Sequence, residues 1–208
     1  MKKVVFLNAG HFLNDPGAIS NNYKESIITM DIRDILIPKL VDYGFEVESI
    51  PDTLNLSDSI SWVKDRATNI NDGLALSLHC NCCNGDGAEA YYYGHNAKSK
   101  SLATKLLDGY IQETGLAKSN GGVRSDTTTR FGELGWIRKT PVWAVLLEMI
   151  YIDNEYNVNF LLNNKEKIAD GIVRGVMNIY GLPYNKIIVV DDKMAEIKKL
   201  AQKIIDLT

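Results

Sequence analysis

Two hydrophobic signatures take turns along the chain: short apolar runs and longer stretches in which apolar residues recur every three or four positions. Val4 to Asn8 reads as a buried strand. From about Lys24 to Tyr43, Ile28, Ile32, Ile35, Leu36 and Leu40 fall at helical spacing, and Gly44 supplies a stop. Pro38 lies inside that pattern and is expected to kink or shorten the last turn. Phe45 to Ile50 predicts a second strand, and Ser57 and Asp58 are expected caps for a helix running to about Ile70. Leu74 to His79 is the kind of apolar run found in central strands. Ala88 to Tyr93 predicts another strand, and Ser99 to Thr114 a helix ended by Gly115. Residues 117–133 are polar and carry glycine, which predicts a long loop. Pro141 then introduces Val142 to Ile150, the most strand-like segment. Helices are expected from about Glu155 to Leu162 and from Lys165 to Tyr180. Strands alternating with helices predict an α/β fold: a single domain with a mostly parallel mixed β-sheet and helices on both faces.

Gly181-Leu182-Pro183 marks the expected end of that domain, giving residues 1–183 as a catalytic domain and 184–208 as a helical tail or linker. In the tail, Ile197, Leu200, Ile204 and Leu207 form a seam at alternating three- and four-residue steps. It is consistent with weak self-association or with a plain amphipathic extension. The 208 residues, 45% hydrophobic and 24% charged, suit one compact domain with a sizeable core. A net charge of −3 and a pI near 5.6 argue against nucleic acid as the main partner, which needs a clustered positive field. No apolar run approaches the length of a membrane span, so no membrane insertion is expected. The opening Met1-Lys2-Lys3 and the short apolar run after it resemble a signal peptide for a few residues only, because Asn8, Gly10 and His11 end the run. Cys80, Cys82 and Cys83 are too few and too close for a disulfide framework. Reduced cysteines are expected, rather than thiolates holding a metal, since further ligands at zinc-finger spacing are missing.

Three potential metal ligands stand where strands end or helices begin. His11 follows the first strand, Glu25 opens the first long helix and His79 ends the strand from Leu74. In open α/β sheets the carboxyl ends of parallel strands share one rim, where ligands bind. Two imidazoles and one carboxylate form a set that holds a catalytic zinc and leaves a position for water. Glu148 ends the run Val142-Trp143-Ala144-Val145-Leu146-Leu147, and an acid there is costly to bury without a partner. It is either a general base on that rim or the buried half of an ion pair with Arg138 or Arg66. Taken singly, each histidine reads more readily as structural or solvated and Glu25 as a favourable charge at a helix start; taken together, the shared topological position of all four shifts the balance to a metal site. His95, in a polar turn after Tyr93-Gly94, reads as an exposed loop residue.

At these residues the sequence resembles the zinc-dependent N-acetylmuramoyl-L-alanine amidases of the amidase-3 type, which include bacterial cell-separation amidases and phage lysins. Gly10-His11-Phe12-Leu13-Asn14-Asp15-Pro16-Gly17-Ala18 is similar to the family's first motif. Glu25 matches its second ligand. Arg66 and Asn69, then Ser77-Leu78-His79-Cys80-Asn81, resemble the stretch ending in the third. Leu147-Glu148-Met149-Ile150-Tyr151-Ile152-Asp153-Asn154 resembles the segment with the catalytic glutamate. The resemblance covers the chain to about Tyr180. It implies one Zn²⁺ held by His11, Glu25 and His79, with Glu148 as acid/base. The implied activity is hydrolysis of the amide between N-acetylmuramic acid and L-alanine in peptidoglycan. A peptidase acting within the stem peptide keeps the same ligand set, and a non-catalytic wall-binding module is the reading from another class. Phe12 and Leu13 stand where the family has two glycines, so the groove is expected to differ in shape. Ile150 replaces a glycine after the catalytic glutamate. Cys80, beside the third ligand, is expected on the opposite face of its strand, buried. Asn81, Arg124 and Arg130 are candidate substrate contacts, the arginines for peptide carboxylates, with solvated loop charge as the alternative. Without a signal peptide, the expected history is synthesis in the cytoplasm and release to the cell wall, as for a lysin; a trimmed secreted enzyme is the other.

Overall fold

The computed structural model describes residues 3–70 and 72–185. Six strands form one sheet in the order β4 (Glu46–Ser49), β1 (Val4–Asn8), β5 (Gly73–Asn81), β8 (Trp143–Tyr151), β6 (Ala88–Tyr92) and β7 (Lys118–Ser125). The first four run parallel, β6 is antiparallel to β8, and β7 is parallel to β6. The expected α/β fold with a mostly parallel mixed sheet is therefore the one observed. A short hairpin, β2 (Ile19–Ser20) with β3 (Tyr23–Lys24), leads into α1 (Glu25–Asp42). The remaining helices are α2 (Leu56–Arg66), α3 (Ala97–Thr114), α4 (Gly135–Lys139), α5 (Glu155–Asn163) and α6 (Lys165–Ile179).

Alternation along the strands divides the core in two. Val5, Leu7, Leu74, Leu76, Leu78, Val145 and Leu147 face α1, α3, α5 and α6 in the larger cluster. Val4, Phe6, Ala75, Ala144, Leu146 and Tyr91 face α2 and α4 in the smaller one. The five-residue α4 and eleven-residue α2 leave part of that second face open above the sheet.

Several local expectations are corrected. Residues 117–133 are not one loop: β7 occupies Lys118–Ser125 and a 3-10 turn follows at Asp126–Thr128. As an edge strand β7 needs little apolar patterning, which hid it. The cap of α2 is Asn55, whose side chain accepts from the Asp58 N–H, and the helix stops at Arg66 rather than Ile70. Helix α1 continues past Pro38 to Asp42. Residues 186–208, which include the Ile197–Leu207 seam, lie outside the described residues.

Candidate metal centre and cleft

Glu25 is the first residue of α1 and is buried. Its Oε2 lies 3.0 Å from His11 Nε2 and accepts the Ala18 N–H at 2.9 Å. Its Oε1 lies 2.9 Å from His79 Nδ1 and accepts the Cys80 N–H at 2.9 Å. Potential ligand atoms of His11, Glu25 and His79 all lie within 4.8 Å of one another. Each imidazole is also held from its far side: His11 Nδ1 by Asp15 Oδ2 at 2.8 Å, His79 Nε2 by Ser77 Oγ at 3.0 Å. Pinning the outer nitrogen fixes ring orientation and leaves the inner one for a ligand.

The loop that delivers His11 is tight. Gly10 and His11 both take left-handed backbone, with φ of 61° each. For a histidine this is uncommon, and the Asp15 contact stabilises it. A Cβ on Gly17 would lie 2.6 Å from both Glu25 Oε2 and the His11 ring, so only glycine lets this loop close over the cluster. Phe12 and Leu13 need no positive φ: the left-handed turns fall on Gly10, His11 and Gly17 instead.

Strand register sets the next group. His79 on β5 is paired with Glu148 on β8, and Glu148 with Glu89 on β6, so the three stand abreast on one face of the sheet. Glu148 as a residue is half-buried, yet its Oε2 is sealed from solvent and has no hydrogen-bond partner among the described residues. Neither suggested ion pair forms: Arg138 binds Asp126, and Arg66 lies against Glu48 and the Trp62 ring. Burial, then the nearby Glu25 and Glu89 carboxylates, push the Glu148 carboxyl well above its usual range. Glu89 goes the other way. Burial alone would raise it, but Tyr151, Asn120, Arg124 and Tyr91 donate to its carboxylate and hold it below the usual range. Asn81 adds a fifth donor at 3.2 Å.

Around the cluster, burial disfavours a charged His11, but the hydrogen bonds and charges of Glu25 and Asp15 outweigh it and raise its pKa to about 9. Glu25 is held far below the ordinary carboxylate range, because its two histidine partners overcome the effect of burial. Cys80 is buried on the opposite face from His79, and burial pushes its thiol well up. That thiol is a neutral core group rather than a ligand. Cys82 and Cys83 are free thiols at the cleft edge. His95 is exposed, as expected.

His11, Glu25, His79, Glu148 and the side chains that donate to Glu89 line a cleft of about 790 Å³. Asn81, Arg124 and Arg130 all border it. Arg124 donates to Glu89 Oε2 at 3.2 Å and to the Thr128 carbonyl at 3.3 Å; Arg130 packs over the exposed Phe131 ring. Sequence reasoning missed Glu89. The signal was present in Ala88-Glu89-Ala90-Tyr91, an acid inside an apolar strand like Glu148. No helix of the described residues is long and apolar enough to cross a membrane.

With this geometry in hand, residues 5–178 match the family described as N-acetylmuramoyl-L-alanine amidase. The chain is 30% identical over 194 residues to the endolysin of Bacillus phage SPP1, covering 88% of this chain and 68% of that one. It is 28% identical over 185 residues to the sporulation-specific N-acetylmuramoyl-L-alanine amidase of Bacillus subtilis (strain 168), covering 86% and 68%. Among solved structures, the catalytic domain of an N-acetylmuramoyl-L-alanine amidase from Bacillus (Paenibacillus) polymyxa var. colistinus superposes with a TM-score of 0.71 at 27% identity, covering 88% of this chain and all of that domain. The fold is also that of the amidase from Clostridium difficile 630, with a TM-score of 0.75 at 21% identity, covering 86% and 97%.

Proposed function

The chain belongs to the N-acetylmuramoyl-L-alanine amidase family, and from that premise we propose that its amide hydrolysis depends on one zinc ion bound by His11, Glu25 and His79, with Glu148 as the acid/base. The reaction class follows from the family: hydrolysis of the amide joining N-acetylmuramic acid to L-alanine in peptidoglycan. The observation that carries the residue roles is the convergence of two imidazole nitrogens on one buried carboxylate, at 3.0 and 2.9 Å, beside a second carboxyl with an unpartnered oxygen.

The donor set fits a metal. His11 Nε2 and His79 Nδ1 face Glu25 from two sides, and their outer nitrogens are already occupied. Such a cluster needs protons or a cation among its inner atoms, and two histidines with one carboxylate suit zinc with a coordination position to spare. Zinc bound there would supply a Lewis acid that polarises the scissile carbonyl and lowers the pKa of water. Glu148 handles the proton. Its raised proton affinity suits a group that takes a proton from the attacking water and returns it to the departing alanine nitrogen. Glu89, held ionised by its donors, keeps Asn81, Asn120 and Arg124 in the cleft wall.

On this reading the stem peptide runs along the wall bearing Asn81, Arg124 and Arg130. Among the described residues, Arg124 donates to Glu89 and to Thr128, which leaves guanidinium N–H groups for a peptide carboxylate. The enzyme acts at the bacterial cell wall, in lysis as an endolysin does or in remodelling. Digestion of purified peptidoglycan with mass analysis of the fragments, combined with metal content, tests the proposal. The expected products are glycan strands freed of peptide, with new alanine amino termini, and the expected zinc content is one per chain, lost in His79→Ala. Cleavage within the peptide would assign a different bond. Equal zinc in both proteins would remove the ligand set.

A further inference from the structure

A second cavity, of about 440 Å³, meets the cleft at the histidine cluster. His11, Asp15, His79, Leu134 and Leu146 line both, so the cluster lies where the two arms join. The arms differ in chemistry. The cleft carries Arg124, Arg130 and the Glu89 network. Among the described residues the lining of the second arm has no lysine, arginine or glutamate; beyond the shared wall the apolar Phe12, Leu54, Leu56 and Trp136 stand beside uncharged amides and hydroxyls from Asn8, Asn55, Ser57, Ser59 and Ser77. Phe12 enters this lining from the position where the family resemblance leads one to expect glycine. Trp136 is almost wholly buried, and its indole Nε1 has no hydrogen-bond partner among the described residues, a cost that calls for an explanation.

A substrate cut at the junction has two unlike halves: an uncharged N-acetylated sugar with its lactyl ether, and a peptide bearing carboxylates. Apolar walls with a few hydroxyl and amide groups suit sugar rings and acetamido groups, whereas guanidinium groups suit carboxylates. Resting on the amidase reading above, we infer that the second arm is the glycan subsite. The N-acetylmuramic acid ring lies between the loop at Phe12 and the start of α2, and the stem peptide lies on the Arg124 side. This fixes the direction in which the wall polymer crosses the sheet rim, and it makes Leu56, Ser57 and Trp136 determinants of sugar recognition.

The test uses the zinc-loaded full chain and the two halves of the substrate separately, so that binding is read without turnover. The sugar probe is N-acetylglucosaminyl-N-acetylmuramic acid capped as its methylamide, which removes the lactyl charge. The peptide probe is the stem tripeptide with its amino terminus acetylated. In nitrogen-edited NMR spectra, the disaccharide is expected to shift the Trp136 indole and the backbone amides of residues 54–57, and the peptide those of residues 120–131. A disaccharide that shifts residues 120–131 instead, or that shifts neither set at millimolar concentration, overturns the assignment. A kinetic arm checks it through the ratio of kcat/KM for the disaccharide-tripeptide to that for lactoyl-tripeptide, which keeps the scissile amide but lacks the ring. Ser57→Trp, at an exposed position, is expected to lower that ratio at least about tenfold, as expected for a well-filled subsite. Phe131→Ala should leave the ratio within about twofold. The reverse pattern, or an equal fall on both substrates with Ser57→Trp, also overturns it. Loss of all cleavage with the NMR pattern intact would instead count against the catalytic roles.

Discussion

Glu148 and Glu89 face each other across one pair of strands and are driven in opposite directions. Among the described residues, one has an oxygen with no partner and the other accepts five hydrogen bonds from side chains on β5, β6, β7 and β8. Partners decide the direction: the carboxyl with a bare oxygen gains proton affinity, and the one with five donors is held below the usual carboxylate range. Glu148 was legible as an anomaly in an apolar run, and His11, Glu25 and His79 as donors at strand ends and a helix start. Glu89 carries the same signal within Ala88-Glu89-Ala90-Tyr91, which sequence reasoning missed; what the sequence hid is its donor network, since Asn120, Arg124 and Tyr151 lie 31 to 62 positions away and only the fold gathers them. A prediction at this scale concerns His11, whose pKa in the metal-free cluster is raised from 6.5 to about 9. At pH 7 it carries a proton that zinc must displace. Calorimetry in buffers of different ionisation enthalpy should show proton release on zinc binding, with affinity rising up to about tenfold per pH unit until pH 9. The same shift has a sign for stability. A raised folded-state pKa contributes fully below 6.5 and is lost as pH climbs through about 9, so the metal-free protein should melt lower at pH 9 than at pH 6. Zinc binding at pH 7 without proton release would show that His11 is not held protonated in the metal-free cluster, while release that persists in His11→Ala would place the proton on another group.

Elements with strong periodicity were legible to within a few residues: β1, β5, β8, α1, α3 and α6 all formed where apolar spacing placed them. Those that failed did so for local reasons. β7 is an edge strand whose glycines and polar residues disguise it, and α4 spans only five residues, too few for a period to show. Pro38 removes one backbone donor from α1, but the helix continues because Leu36 and Leu40 on either side are fully buried against the sheet. The pairing of α3 with α6 was invisible in the sequence because it depends on two glycines. A Cβ on Gly109 would come within 2.4 Å of the Gly175 nitrogen, and one on Gly175 within 2.4 Å of the Leu106 carbonyl. Backbone atoms cannot yield as a flexible side chain does. Gly175→Ala is therefore expected to destabilise the fold by roughly 1–3 kcal/mol through overpacking. Thermal unfolding should show a loss of several degrees in Tm with zinc stoichiometry unchanged. An unchanged Tm would mean the helices are less closely packed than described.

For the molecule as a whole, unequal cover on the two faces of one sheet makes the site. Four helices seal the face carrying Leu76, Leu78 and Leu147, while α2 and α4 only partly cover the face carrying His79, Glu148 and Glu89. His11, Glu25 and His79, the proposed ligands, meet at the rim where β1, β5 and β8 run parallel and end together, as the alternation of elements led one to expect. The two arms that leave this rim were beyond the sequence, since their walls come from loops whose paths no periodicity specifies. The central claim is that three residues hold the metal and a fourth moves the proton. Glu148→Gln tests it most directly, because glutamine keeps the volume and the hydrogen-bonding reach but cannot accept a proton from water. Zinc content and Tm should stay close to those of the unaltered protein, while release of amino groups from peptidoglycan falls at least about a hundredfold. A variant that loses its zinc would make Glu148 a ligand, and one that keeps both zinc and activity would place the proton transfer on another group.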